Sequence, residues 1–374
     1  MDHPLQRLAG ALRNRLPTWL GGRGGLTTTA HEAVWPLAEA LQCKRELGDS
    51  YATEPLSAGD ARFVARNSEL ETLATVIEHW QNRFPVMAAV TGPQGCGITS
   101  LLNQLPGLLS PDTVYRSEQL AERLRSEGDV LVLLTRLFDL AATPDSPATL
   151  IDQLNAAAPR VLILDNAHFL AFRVMGARGA ARSLGAIMVA TQQRHLWIVG
   201  CRRQAWRRMM YMHQVDRFFT HVLELEYFSA EQLNDVIVAR QGETVEELPA
   251  HDLQKLQQLS AGKPDLAFLY LQCGILAETG GYRPLDASVL KQLEMDDLFS
   301  LAELAVHGSL QLEEHGQIFR VSPENSQLQL NRLCNWGLVE RLDPNGGSPS
   351  ARFRITPVLS ALISEHLYKS NYLY

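Results

Sequence analysis

The chain has 374 residues, a formal charge of −7 and 46% hydrophobic residues. That composition provides for a sizeable core in two or three domains, and it excludes a polycation built to coat nucleic acid along its length. No apolar run reaches the roughly 18 residues of a membrane span.

Residues 1–60 read as a helical or irregular extension. The first 22 are interrupted by Asp2, Arg7, Arg13, Arg15 and Pro17. They predict a short amphipathic helix rather than a signal peptide, followed by a Gly-rich joint at 21–25. The five cysteines (Cys43, Cys96, Cys201, Cys273, Cys334) have no metal-ligand spacing. They are expected to be isolated, reduced thiols of a cytoplasmic protein. Residues 68–80 carry Leu70, Leu73, Val76 and Ile77 at helical spacing, with Ser68 placed to cap.

Apolar runs at 86–90, 130–134, 161–164, 196–199 and 222–225 predict five buried strands separated by helical patterns. Such alternation predicts a parallel sheet covered by helices on both faces. After Phe228 the strand signal stops, and 229–278 reads as three helices broken at Gly242 and at Gly262-Lys263-Pro264. Residues 286–374 form a last unit, with a helix at 298–306 and short strands at 338–342 and 352–355.

The turn after the first strand reads Gly92-Pro93-Gln94-Gly95-Cys96-Gly97-Ile98-Thr99-Ser100. It follows the phosphate-loop template, in which backbone N–H groups converge on phosphate oxygens and a hydroxyl binds Mg²⁺. Gly92 and Gly97 hold the template glycines, and Thr99 holds the hydroxyl. The lysine position holds Ile98. Losing that charge-assisted contact costs about 1.5–3 kcal/mol, roughly ten- to a hundredfold in affinity.

The strand 161–164 ends in Asp165, placed to hold the Mg²⁺ shell, and is followed by Asn166. An amide cannot act as the general base that a glutamate supplies there. His168 reads as a structural hydrogen-bonding residue rather than a substitute base. The loop and Asp165 are expected at adjacent strand ends of one sheet.

These motifs resemble the AAA+ ATPases of the origin-recognition and STAND-like groups. Phe63-Val64-Ala65-Arg66-Asn67-Ser68-Glu69-Leu70 looks like their F-V-G-R-x-x-E-L box, with Ala65 in place of Gly; the resemblance puts Arg66 near the adenine. Residues 196–201 resemble the sensor-1 strand, and Arg217 is the best match to an arginine finger. Lys263 is the only cation in the segment that resembles the sensor-2 turn. The match covers about residues 61–280. The end of the chain resembles a winged-helix domain, with a recognition helix around Arg332, Gly337 as its C-cap, and a wing tip at 343–350. The resemblance implies an α/β P-loop fold: an extension at 1–60, an AAA+ core at 61–228, a helical lid at 229–285 and a winged helix at 286–374. It also implies bound ATP or ADP with Mg²⁺, hydrolysis being weak or lost.

Between 288 and 374 there are seven Lys/Arg against ten Asp/Glu. This favours a protein-contact winged helix over a phosphate-tracking one. Residues 171–215 hold eight arginines and no Lys, Asp or Glu. Of these, Arg173, Arg178, Arg182, Arg202, Arg203, Arg207 and Arg208 are candidates to meet a DNA backbone or an acidic neighbouring subunit. Three readings follow: a DNA-associated subunit, a scaffold in a homo- or hetero-oligomeric assembly, or a slow ATPase switch. None involves a membrane.

Overall fold

The computed structural model describes residues 34–47, 54–174, 178–241, 248–274, 281–342 and 351–373. The expected amphipathic helix and Gly-rich joint, the break at Gly242 and the wing tip at 343–350 lie outside them.

In chain order the core begins with helix α1 (Leu37–Leu47), α2 (Asn67–Gln81), strand β1 (Met87–Gly92) and α3 (Ile98–Gln104). It continues with β2 (Tyr115–Gln119), α4 (Glu127–Leu137), α5 (Pro147–Ala156), β3 (Val161–Asp165), α6 (Gly179–Thr191), β4 (Leu196–Arg202), α7 (Arg203–His213) and β5 (His221–Glu224). The strands form one parallel sheet in the order β2-β3-β4-β1-β5. β1 and β3 are buried at every position. Successive residues face opposite sides: Leu162 and Leu164 join the cluster under α4–α7, while Val161 and Ile163 join the one under α2 and α3.

Four of the five expected strands are present; the run at 130–134 is not one of them. It lies inside α4, whose first turn is closed by a reciprocal capping box between Ser126 and Asp129. Val130, Leu131, Leu133, Leu134 and Leu137 are buried while Val132 is exposed, which is helical spacing. The strand in its place is β2, Tyr-Arg-Ser-Glu-Gln at the open edge of the sheet. A polar edge strand shows no apolar run. Ser68 does not cap α2 either: the helix starts at Asn67, and the Ser68 hydroxyl donates to Glu69.

Three helices follow the sheet: α8 (Ala230–Gln241), α9 (Ala250–Ser260) and α10 (Pro264–Cys273). The C-terminal part holds α11 (Met295–His307), β6 (Leu310–Gln311), α12 (Leu312–Phe319), α13 (Pro323–Asn335), β7 (Val339–Leu342), β8 (Arg352–Ile355) and α14 (Ser360–Lys369). Its antiparallel sheet runs β6-β8-β7, the arrangement of a winged helix. Together these elements form an α/β fold: a five-stranded parallel sheet covered by helices, a three-helix unit and a C-terminal unit with the strand arrangement of a winged helix.

Buried charges join the C-terminal part to the sheet domain. Arg123 Nε donates to Glu314 Oε1 at 2.7 Å and its Nη2 to the Ser309 carbonyl. Glu303 accepts from Arg208 at 2.7 and 3.0 Å and from Arg173 at 2.8 Å.

One expectation about the cysteines is overturned. Cys43 on α1 and Cys273 at the end of α10, 230 positions apart in sequence, form a disulfide with Cα atoms 6.5 Å apart. Folding, not sequence spacing, brings them together: Trp35 lies against Tyr270 at 5.5 Å and donates its backbone N–H to Pro284 O, which sets α1 along α10. Cys96, Cys201 and Cys334 are free. Among the described residues, no helix is long and apolar enough to cross a membrane.

Candidate nucleotide site

The loop between β1 and α3 opens into a cleft of about 230 Å³, walled by residues 93–100, Asp165, Asn166, His168 and Arg202 among others. Gly95 and Gly97 have φ of 85° and 99°, a region that side chains with a Cβ rarely adopt. These two positions turn the loop around its own amides. Thr99 Oγ1 donates to Asp165 Oδ2 at 2.6 Å, so hydroxyl and carboxylate meet at the wall of the cleft. Burial holds the Asp165 carboxyl above its ordinary range, opposed by the bonds from Thr99 and the Asn166 N–H.

The two strand ends are not neighbours, contrary to expectation, because β4 lies between β1 and β3. The gap is bridged because β4 carries Gly200 there. A Cβ on Gly200 would stand 2.6 Å from Asp165 Oδ1 and 2.6 Å from Leu102 Cδ1. Gly200 was missed in sequence; its signal was a glycine inside an otherwise apolar strand.

Asn166 has φ 59°, which asparagine tolerates better than glutamate. Its Nδ2 donates to Leu120 O at 3.1 Å, so the amide ties the end of β3 to the chain after β2. Ile98 sets its Cγ2 beside Gly200 and brings no charge. The Ser100 hydroxyl accepts from Leu56 N at 3.0 Å and anchors the segment before α2.

Arg66 lines the cleft, but its guanidinium is committed. It bonds Glu69 at 2.7 Å, Cys96 O at 3.0 Å and Glu226 O at 2.7 Å, and it lies 4.2 Å from the Phe228 ring centroid. It clamps the loop to the end of the sheet. Lys263 also reaches the loop: its Cε would stand 2.6 Å from a Cβ on Gly95. Its ammonium turns aside, to Asp265 Oδ2 at 2.9 Å and to Pro357 O in the winged-helix part. A buried ammonium must be paired, and these partners correct the expectation of a cation facing the cleft.

Arg202 corrects the expected surface patch. It pairs in register with Gly92, donates from Nη1 to Gln94 Oε1 at 2.9 Å and lines the cleft. Burial lowers its pKa to about 10, which leaves it charged at neutral pH. Beside it, His168 is buried with Nδ1 unpartnered; burial and the nearby Arg202 keep the ring neutral. Arg203 is half-buried and paired with the exposed Glu224 at 2.6 Å and with Glu226. Arg173 and Arg208 are spent on Glu303, and Arg207 lies 3.8 Å from Glu224. Arg178 and Arg182 are exposed; burial, with these two arginines nearby, lowers the His213 pKa. Arg217 is exposed on the turn Val215–Phe218, outside the cleft.

No family model and no curated relative matches this chain. It is similar to solved structures at low identity. The Aeropyrum pernix ORC2 protein is 16% identical over 84% of this chain and 95% of its own, with a TM-score of 0.46. A chain of Drosophila ORC bound to DNA is 14% identical over 98% and 100%, also at 0.46. Cdc6p from Pyrobaculum aerophilum is 19% identical over 86% and 98%, at 0.42.

Proposed function

We propose that this chain is an AAA+-type nucleotide-binding subunit, weakly hydrolytic or inactive, that serves as a regulatory or scaffolding component of a multi-protein assembly in the cytoplasm. The observation that carries this reading is the Thr99–Asp165 pair beside a loop that has Ile98 for lysine and Asn166 for glutamate. The division into an extension (1–60), a core (61–228), a lid (229–285) and a winged helix (286–374) belongs to the same proposal.

The residues fit the group. Gly95 and Gly97, at positive φ, turn the loop around its own amides, and Arg202 brings to the cleft a cation with no carboxylate hydrogen-bond partner among the described residues. ATP or ADP would be held by the backbone of Gly95, Cys96, Gly97, Ile98, Thr99 and Ser100, and Mg²⁺ by Thr99 and Asp165. Mg²⁺ would supply charge neutralisation at the phosphates. Arg202 and Gln94 bind and orient. Asn166 holds the end of β3 and accepts no proton.

Titration with a fluorescent ATP analogue tests this. Micromolar binding that needs Mg²⁺, is lost in Asp165→Ala, and proceeds without phosphate release is the expected result. Absence of binding, or turnover at an ordinary ATPase rate, would overturn it.

A second reading is favoured by Arg178 and Arg182, exposed with no carboxylate partner among the described residues. On it, these arginines meet DNA phosphates, as a slow ATPase switch or DNA-associated regulator would use them. Retention on duplex DNA that falls steeply with salt, and falls again in Arg178→Glu/Arg182→Glu, is its test.

A further inference from the structure

We propose that the exposed apolar stripe where α13 crosses the start of α11 is a docking surface for an amphipathic helix with basic flanks, supplied by a partner protein. The proposal rests on the scaffold half of the reading above and not on its nucleotide half. Along α11, Met295 lies about 18 Å from His307, the end that meets the sheet domain.

Helix α11 buries Leu301, Leu304 and Ala305 inward. Met295 and Phe299, one turn apart, point out, with 61% and 41% of their surface exposed. Helix α13 is fastened across this turn: Gln329 Nε2 donates to Asp296 O at 2.7 Å, and Arg332 Nε to Asp297 Oδ1 at 3.0 Å. Leu328, one turn before Arg332, therefore stands at the flank of this crossing, and it is 70% exposed. Tyr372 extends the stripe, its ring 5.0 Å from that of Phe299. A lone exposed leucine is ordinary; large apolar side chains on adjoining turns mark a binding surface. Anchors at i and i+4 match the stripe of an amphipathic helix.

Charge selects the kind of helix. Glu294, Asp296 and Glu324 are exposed at the rim. The cation between them, Arg332, is consumed by Asp297 at 2.6 Å and Glu294 at 3.1 Å. A recognition helix whose arginine is already neutralised, rimmed with carboxylates, repels nucleic acid and acidic peptides. Lysine or arginine flanking the partner's apolar stripe complements it.

The test uses the full chain and a fluorescein-labelled 18-residue peptide of leucine and lysine, patterned for one apolar helix face, followed by anisotropy. The expected result is saturable binding that weakens with salt and falls at least tenfold in Leu328→Glu and in Met295→Glu. Circular dichroism should be unchanged, because both positions are exposed. Leu328→Ala should fall less. A leucine–glutamate peptide of the same pattern and a labelled DNA duplex should not bind. Thr99→Ala should bind the peptide normally even if it has lost nucleotide. The proposal is overturned by no binding to the wild type, by equal binding to the glutamate variants, or by equal binding of the acidic peptide or the duplex. Self-association in sedimentation that disappears in Leu328→Glu would overturn it in favour of a second copy of this chain.

Discussion

Thr99 and Asp165 meet at 2.6 Å across a strand that places no side chain between them. The intervening residue is Gly200 of β4, and its missing Cβ is the space that Asp165 Oδ1 and Leu102 occupy. Gly200→Ala should therefore act at the site before it acts on the fold. Overpacking of this kind costs about 1–3 kcal/mol. The expected outcome is a modest fall in denaturation midpoint with at least a tenfold loss of Mg²⁺-dependent nucleotide affinity. Unchanged affinity would show that the pair does not set the site.

Replacing Ile98 with lysine restores the cation the loop lacks. Affinity for ATP should rise about ten- to a hundredfold, by the worth of a charge-assisted hydrogen bond. Turnover should not follow, since position 166 still has no base. Asn166→Glu adds a carboxylate, but it loses the bond to Leu120 O and puts glutamate at φ 59°. That variant should be destabilised by about 1–2 kcal/mol. Binding titrations and phosphate release on the two single variants and the double variant separate these effects.

The site was legible where chemistry is written in consecutive residues. Gly92–Ser100 and Asp165 were readable because a loop and a strand end are local objects. Arg202 was not: as one of eight arginines in an acid-free segment it looked like surface, and only its register opposite Gly92 turns it into the cleft. Arg203 and Arg208 misled for the same reason, since their glutamates lie elsewhere in the chain. In the fold, the run at 130–134 could not be told from a strand by periodicity alone, and the polar edge strand β2 carried no signal. The Cys43–Cys273 pairing depends on how α1 lies along α10, which no spacing reveals.

That disulfide has a direct readout. Thiol titration in denaturant should give three reactive groups before reduction and five after. Reduction, or Cys273→Ser, should lower stability by about 2–4 kcal/mol, the usual worth of closing a long loop. Five thiols without reductant would contradict the bond.

The buried pair Arg123–Glu314 ties the C-terminal part to the sheet domain, with side chains 1% and 3% exposed. Arg123→Ala leaves Glu314 buried with its second partner, Arg125, at 3.2 Å as the remaining charge. Breaking a buried pair from one side costs about 3–5 kcal/mol, whereas removing both charges costs less. Arg123→Ala should therefore be less stable in urea than Arg123→Ala/Glu314→Ala. A double variant as unstable as, or less stable than, Arg123→Ala would show that the unpaired Glu314 charge is not the source of the loss.

Acid should weaken the fold, and His195 supplies a clear reason. The ring is buried; Nε2 donates to Leu154 O at 2.8 Å while Nδ1 accepts from Arg160 N at 3.3 Å. A protonated ring would set two N–H groups against each other at Arg160. Burial lowers its pKa to about 4, with the nearby Arg160 and Arg194 also disfavouring the charge. An unfolded histidine titrates near 6.5, so between these values the unfolded chain binds the extra proton. The stabilisation is complete above about pH 6.5 and is lost as pH falls toward 4, at up to about 1.4 kcal/mol per pH unit. His307 and His315, also lowered to about 4, add to the slope. Urea denaturation from pH 7.5 to 4.5 should show this decline. His195→Gln should start less stable at pH 7.5 and fall less steeply; a parallel curve would assign the acid sensitivity to other groups.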